Sequence, residues 1–260
     1  MAAPTITLAI ISDIHGNLPA LEAVHADIAA RGISAVVNLG DHVSGPLWPR
    51  ETAAWLMQHD WPSIPGNHDR VVVHDDVATL GPSDRFARDQ VTPDQLAWLA
   101  AMPPTMSCAV AESLSIFLCH GIPTDDRIYL LETPENGRLR LATPEQVAKR
   151  LGPVRAPVIV CGHSHIARAS QHDGCLIVNP GSVGLPAYNH TGTHAHVSET
   201  GSPLARYAML EWTTPASAPR VSFIALEYDS EAAARRADER GRPDWSVALR
   251  TGHADRSGRF

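Results

Sequence analysis

Ile6-Thr7-Leu8-Ala9-Ile10-Ile11-Ser12-Asp13-Ile14-His15-Gly16-Asn17-Leu18 runs from an apolar stretch through a polar turn into a helical pattern. Ile6–Ile11 reads as a buried strand. Leu21, Val24 and Ile28 recur at helical spacing across Leu18–Ala30 and read as the inner stripe of a helix. The Asp, His and Gly between them lie at the carboxyl end of the strand, where open α/β sheets bind ligands. Glycine there allows tight turns and close approach of backbone to a ligand.

Further along, the pattern recurs. A strand over 34–39 runs into Gly40-Asp41, and 49–59 reads as a helix. A short strand over 61–64 runs into Gly66-Asn67-His68-Asp69. Leu114–Cys119 runs into His120-Gly121, and a strand over 158–161 runs into Gly162-His163-Ser164-His165. The strand–helix alternation predicts a largely parallel sheet covered by helices. Asp13 and His15 are two apart, so an extended backbone puts both on one side, and the same holds for His163 and His165.

Between these motifs, 71–112 breaks the rhythm with Pro82, Pro93, Pro103 and Pro104. It is expected as an insertion or cap holding a short helix over 93–101. Residues 143–151 read as a helix. Strands at 166–171, 175–178, 207–212 and 221–228 suggest an antiparallel sheet in the second half. Residues 189–203 read as a loop. The chain is expected as a single domain over 1–260, with a helical extension over 230–260 and a frayed end over its last ten residues.

Composition narrows the function. With 44% hydrophobic and 19% charged residues, the 260-residue chain is a soluble globular protein rather than a disordered one. Its 21 Lys+Arg against 28 Asp+Glu give a net charge of −7, which argues against a general nucleic-acid or membrane-surface binder. No apolar run approaches the roughly 18 residues of a membrane span. Residues 1–4 carry no basic start of a secretory signal. Cys108, Cys119, Cys161 and Cys175 form no Cys-x-x-Cys motif. They read as free thiols, which suits a cytoplasmic location.

Of the 14 histidines, five fall in the strand-end motifs, beside Asp13, Asp41 and Asn67. Two carboxylates, an amide oxygen and four imidazoles make a mixed O/N donor set. It suits Mn, Fe, Zn or Co better than Ca, and seven ligands suit two ions sharing a carboxylate.

The constellation Asp13-Ile14-His15, Gly40-Asp41, Gly66-Asn67-His68-Asp69, His120-Gly121 and Gly162-His163-Ser164-His165 resembles the calcineurin-like metallophosphoesterase superfamily. Asp13 through Leu18 and Asn179-Pro180-Gly181-Ser182 further resemble its small bacterial phosphodiesterase or diadenosine-tetraphosphatase-like branch. The resemblance implies a four-layer αββα sandwich of two mixed sheets flanked by helices. It also implies a dinuclear metal site at the carboxyl ends of the strands. Asp13, His15 and His165 would hold one divalent ion (Mn, Fe, Zn, Co or Ni). Asn67, His120 and His163 would hold the other, and Asp41 would bridge them. A hydroxide between the ions would attack a phosphodiester, nucleotide or phosphomonoester. His68 would be the acid for the leaving oxygen, oriented by Asp69. His42 would not be a ligand. Related proteins leave two other readings: a phosphoprotein phosphatase, or a non-catalytic scaffold on the same fold. Arg127 and Tyr188 are candidate substrate contacts, and His74 a candidate rim residue. His25, His59, His172 and His253 are expected on the solvated surface. The expected partner is a small phosphorylated substrate.

Overall fold

The computed structural model describes residues 5–256. In chain order its elements are β1 (Ile6–Ile11), α1 (Leu18–Ala30), β2 (Val36–Asn38), α2 (Pro49–Leu56), α3 (Asn67–His74), α4 (Pro82–Gln90), α5 (Pro93–Ala100), β3 (Thr105–Ala111) and β4 (Leu114–Cys119). There follow β5 (Glu132–Glu135), β6 (Arg138–Leu141), α6 (Pro144–Leu151), β7 (Val158–Val160), β8 (Arg168–His172), β9 (Cys175–Asn179), β10 (Ala187–His190), β11 (His196–Glu199), β12 (Ala205–Trp212), β13 (Arg220–Leu226), α7 (Ser230–Glu239) and α8 (Pro243–Thr251).

Strand alternation builds the layers. Side chains of successive strand residues face opposite ways, so β1 is buried on both faces. Leu8 and Ile10 point into one cluster with Val37, Ile116, Leu118, Val160, Val178 and Trp212, which fills the space between two sheets. Ala9 and Ile11 point the other way, onto Leu21, Val24 and Ile28 of α1. On the far side Cys119, Ile159 and Ile177 pack against Val147 and Leu151 of α6. Helix, sheet, sheet and helix therefore stack as four layers. The first sheet has the order β13-β12-β1-β2 and the second β3-β4-β7-β9-β8. Parallel pairs β4–β7 and β7–β9 form the centre of the second sheet, flanked by the antiparallel pairs β3–β4 and β8–β9; in the first, β1 pairs in parallel with the edge strand β2 and antiparallel with β12, which pairs on with β13.

A third sheet, β10-β11-β6-β5, was not anticipated. Its strands are four residues long and mostly polar, too short for a pattern to stand out: only β6 alternates, Arg-Leu-Arg-Leu, and Leu141 is exposed. The loop expected over 189–203 contains β11. Nor do the second-half strands form a separate antiparallel sheet: β8–β9 joins the second sheet, and β12–β13 joins the first beside β1. Residues 61–64 make only a single bridge, Asn38 to Ser63. Pro62 and Pro65 flank it, and proline has no N–H for a ladder.

Residues 71–112 include the second half of α3, with α4 and α5. These helices pack Val72, Ala87 and Leu99 against Val43 and Ala53. The same stretch also holds β3, which pairs with β4 at the edge of the second sheet. Helices α7 and α8 bury Ala233, Ala237 and Leu249 with Leu47 and Leu185 beside the strand ends. Of the end expected to fray, 257–260 lie outside the described residues, as do residues 1–4, while Ala254 is buried. His59 is not simply solvated. It stacks on Trp55 at 3.8 Å between ring centroids, and His25 meets the same Trp55 edge-on at 5.0 Å. Among the described residues no helix is long and apolar enough to cross a membrane.

Candidate metal centre

Five loops meet at the carboxyl ends of β1, β2, β4 and β7 and at the start of α3. They gather two donor groups, Asp13/His15/Asp41/His165 and Asp41/His120/His163, with the donor atoms of each group within 4.8 Å of one another. Asp41 belongs to both. His15 Nε2 lies 3.2 Å from His165 Nε2, and His165 Nε2 lies 3.2 Å from Asp13 Oδ1. His120 Nε2 is 3.3 Å from Asp41 Oδ2 and 3.1 Å from Asn67 Oδ1. Each sequence-derived ligand candidate is therefore in the cluster.

The backbone that does this is not the extended one expected for Asp13/His15 and His163/His165. Asp13, His15, Asp41, His163 and His165 have φ of 56°, 52°, 55°, 68° and 61°, in the left-handed region. Such conformations are disfavoured for residues with a Cβ and concentrate at functional sites. Hydrogen bonds between the loops hold them there: Asp13 N to Gly40 O, His15 N to Asp41 O and Gly16 N to His42 O, each 2.9 Å. Gly40 makes the crossing possible. It has a φ of +99°, and a Cβ there would lie 2.1 Å from the Gly66 nitrogen. Gly40→Ala is therefore expected to destabilise the protein by about 3 kcal/mol or more, through backbone clash and strain together. Denaturant unfolding measures this, and an unchanged midpoint would contradict the packing described.

Tautomers are set from outside the cluster. Nδ1 of His15, His120 and His165 faces the carbonyl oxygens of Ser44, Leu39 and Leu185 at 2.9, 2.7 and 2.6 Å. A carbonyl only accepts, so each Nδ1 donates and each Nε2 is left for the centre. In His163 the roles reverse: Nε2 donates to Arg127 O at 3.1 Å, leaving Nδ1. Burial holds His15 at a pKa of about 4 and His163 at about 3, so both are neutral at pH 7. Burial also disfavours charge on His120, but the carboxylates of Asp41 and Asp13 raise it to about 10. Against its own burial, Asp13 is brought to about 2 by His165 and His120, and Asp41 is also held well below the usual carboxylate range. Asp13 Oδ1 is buried with no hydrogen-bond donor. An ionised oxygen without a donor, facing imidazole nitrogens, fits a cation between them. Oxygen and imidazole donors without thiolate fit divalent transition ions.

His68 and Asp69 part company. The His68 amide donates to Asp41 Oδ1 at 2.9 Å, and its ring, 36% exposed, stands beside the cluster. The expected contact with Asp69 is not made. Asp69 instead accepts from the amides of His42 and Gly66, both at 2.9 Å, and pairs with His42 Nδ1 at 2.7 Å. Part of the cause is local: Asp69 is the third residue of α3, from where its carboxylate reaches back to the amide of Gly66, the residue that caps the helix. His42 is held by this pair and lies outside both donor groups, in line with a non-ligand. The carboxylate at His68 Nδ1 is Asp84, at 2.8 Å, a residue no motif singled out.

Beside the cluster opens a cavity of about 660 Å³. Arg127 and Tyr188 line it; His74 does not, and is exposed at the end of α3. Tyr188 donates to His163 O at 3.1 Å and meets Tyr129 OH at 2.9 Å, while the Tyr129 ring stacks on His163. His196 is drawn to Tyr129 OH at 2.8 Å rather than to a carboxylate. With His190 and His194 it forms a wall from the third sheet, which the sequence showed only as a polar loop.

Residues 6–201 match the family model described as the calcineurin-like phosphoesterase superfamily domain. An uncharacterised protein of Methanocaldococcus jannaschii is 25% identical over 254 residues, covering 92% of this chain and 94% of that protein. Among solved structures, a metallophosphoesterase from Sphaerobacter thermophilus is 25% identical with a TM-score of 0.71, covering 95% of this chain and 98% of that one. A hypothetical protein from Pyrococcus horikoshii shares the fold at 18% identity, with a TM-score of 0.72 and coverage of 96% and 99%.

Proposed function

Because the chain belongs to the calcineurin-like phosphoesterase superfamily, we propose that it is a dinuclear metal-dependent phosphohydrolase acting on a small phosphodiester, nucleotide or phosphomonoester. The observation that carries this is the pair of buried donor groups sharing Asp41. Asp13, His15 and His165 would hold one divalent ion, Asn67, His120 and His163 the other, and Asp41 both. Mn, Fe, Co, Ni and Zn all suit these donors. Two such ions, when bound, neutralise phosphoryl charge and lower the pKa of a coordinated water.

The chain's own groups do the rest. Carbonyls of Ser44, Leu39, Leu185 and Arg127 fix the ligand tautomers. His68 holds the proton passed from Nε2 to the leaving oxygen as the P–O bond breaks. Arg127, an exposed cavity residue, contacts non-bridging phosphoryl oxygens, and Tyr188 walls the substrate. The cavity size suits a small substrate rather than a protein surface. All four cysteines are unpaired, which supports a reducing, cytoplasmic setting.

The test is hydrolysis of bis-p-nitrophenyl phosphate and p-nitrophenyl phosphate with each of Mn, Fe, Co, Ni and Zn. Turnover that requires added metal and stops with chelator is expected; none with any ion refutes the reading. Phosphopeptides turned over faster than either ester would favour a phosphoprotein phosphatase. An empty site under metal-replete conditions would favour a scaffold. Arg127→Ala is expected to raise KM about tenfold, from loss of a charged hydrogen bond, with kcat little changed. Steady-state kinetics checks this, and an unchanged KM removes Arg127 from the site.

A further inference from the structure

His68 needs an orienting partner, and helix α4, not the motif that carries His68, supplies it. Asp84 lies in the first turn of α4 and is 8% exposed. Its Oδ1 accepts from His68 Nδ1 at 2.8 Å and from Ser44 Oγ at 2.7 Å. The helix is fixed from two sides. Arg88 donates to the Val73 carbonyl of α3 at 2.9 Å, and Arg242 beside α8 donates to Ser83 Oγ at 2.8 Å. With Nδ1 engaged by a carboxylate, Nε2 is the nitrogen left for the cavity.

We propose that Asp84 is the positioning residue of His68, so that the helical segment between Asp69 and β3 completes the acid rather than merely covering the site. This rests on the acid role given to His68 above. In that step the Nε2–H bond breaks and an O–H bond forms on the leaving oxygen as the P–O bond breaks. His68 is left neutral with Nδ1–H still bound to Asp84. Ser44 holds the same carboxylate oxygen from the loop after Asp41, tying the acid's orientation to the loop of the shared donor.

The experiment compares the full-length wild type with Asp84→Asn, Asp84→Ala, His68→Ala and the double variant His68→Ala/Asp84→Ala. Aryl and alkyl phosphodiesters of graded leaving-group basicity serve as substrates. Asp84→Ala is expected to lower kcat about 10–100-fold for the poorest leaving groups, as loss of an orienting partner typically does. The loss should be smaller for nitrophenyl esters, with KM and bound metal unchanged. Asp84→Asn, which keeps an accepting oxygen, should retain part of the rate. In the His68→Ala background, removing Asp84 should cost nothing further, because both act through one ring. Multiplicative losses, equal losses for good and poor leaving groups, or loss of metal would overturn the proposal.

A readout independent of turnover separates it from the functional reading. The ¹⁵N NMR signal of His68 Nδ1 should move in Asp84→Ala, while those of His15, His120 and His165 stay. An unmoved His68 signal overturns the assignment whether or not the enzyme is active. A wild type inactive with every metal overturns the phosphohydrolase reading instead.

Discussion

Asp41→Asn is expected to lower turnover by about 10³-fold or more, a loss of several kcal/mol of transition-state stabilisation. The carboxylate is the one group common to both donor sets, so on the proposed dinuclear reading removing its charge would weaken both ion sites together. Asparagine is the informative replacement. Asp41 has φ of 55°, which Asn tolerates better than Ala, so the backbone survives and the loss reports on the charge. Oδ1 also accepts from the His68 amide, and the amide oxygen of Asn can continue to do so. Metal analysis alongside kinetics should show less than the full complement of metal. Full metal occupancy with wild-type kcat would show that Asp41 does not link the sites.

A second large effect is expected at His68. His68→Ala should lower kcat by about 10²–10⁴-fold for substrates with alkoxide leaving groups, the usual worth of a positioned acid. The fall should be much smaller for nitrophenolate, which departs without a proton. Metal content should be unchanged, because the ring stands outside both donor groups. The ring meets His15 only edge to face, at 5.5 Å between centroids. A uniform loss across leaving groups would contradict the acid role.

Much of the site was legible because its residues sit where chain direction alone puts them. A buried apolar strand ending in Asp, Asn or His must deliver that side chain to the carboxyl edge of the sheet. Asp13, Asp41, His120, His163 and His165 follow from that rule. What could not be read was set by contacts between elements distant in sequence. Asp84 reaches His68 because α4 packs on α3 through Val72 and Ala87, a meeting no spacing announces. The resemblance pointed to Asp69 as the partner, yet the amides of Gly66 and His42 bind it. The third sheet was hidden by polar, four-residue strands. Residues 61–64 looked like a strand, but two prolines leave them a single bridge. The left-handed turns were missed for a different reason: Asp-x-His reads equally well as extended chain, and only the register between loops decides.

Those left-handed turns have a consequence for how this chain can vary. Five side chains sit in conformations that cost roughly 1–2 kcal/mol each relative to ordinary backbone. Glycine would relieve that strain at each of them and would also remove a donor. Selection for stability and selection for chemistry therefore pull in opposite directions at the same five positions. A sequence relaxed from the demand for activity has a downhill path there toward a more stable, inert protein. Exchange of Asp13, His15, Asp41, His163 or His165 for glycine is the change expected to show this slope, as relieved backbone strain obtained with the loss of a donor.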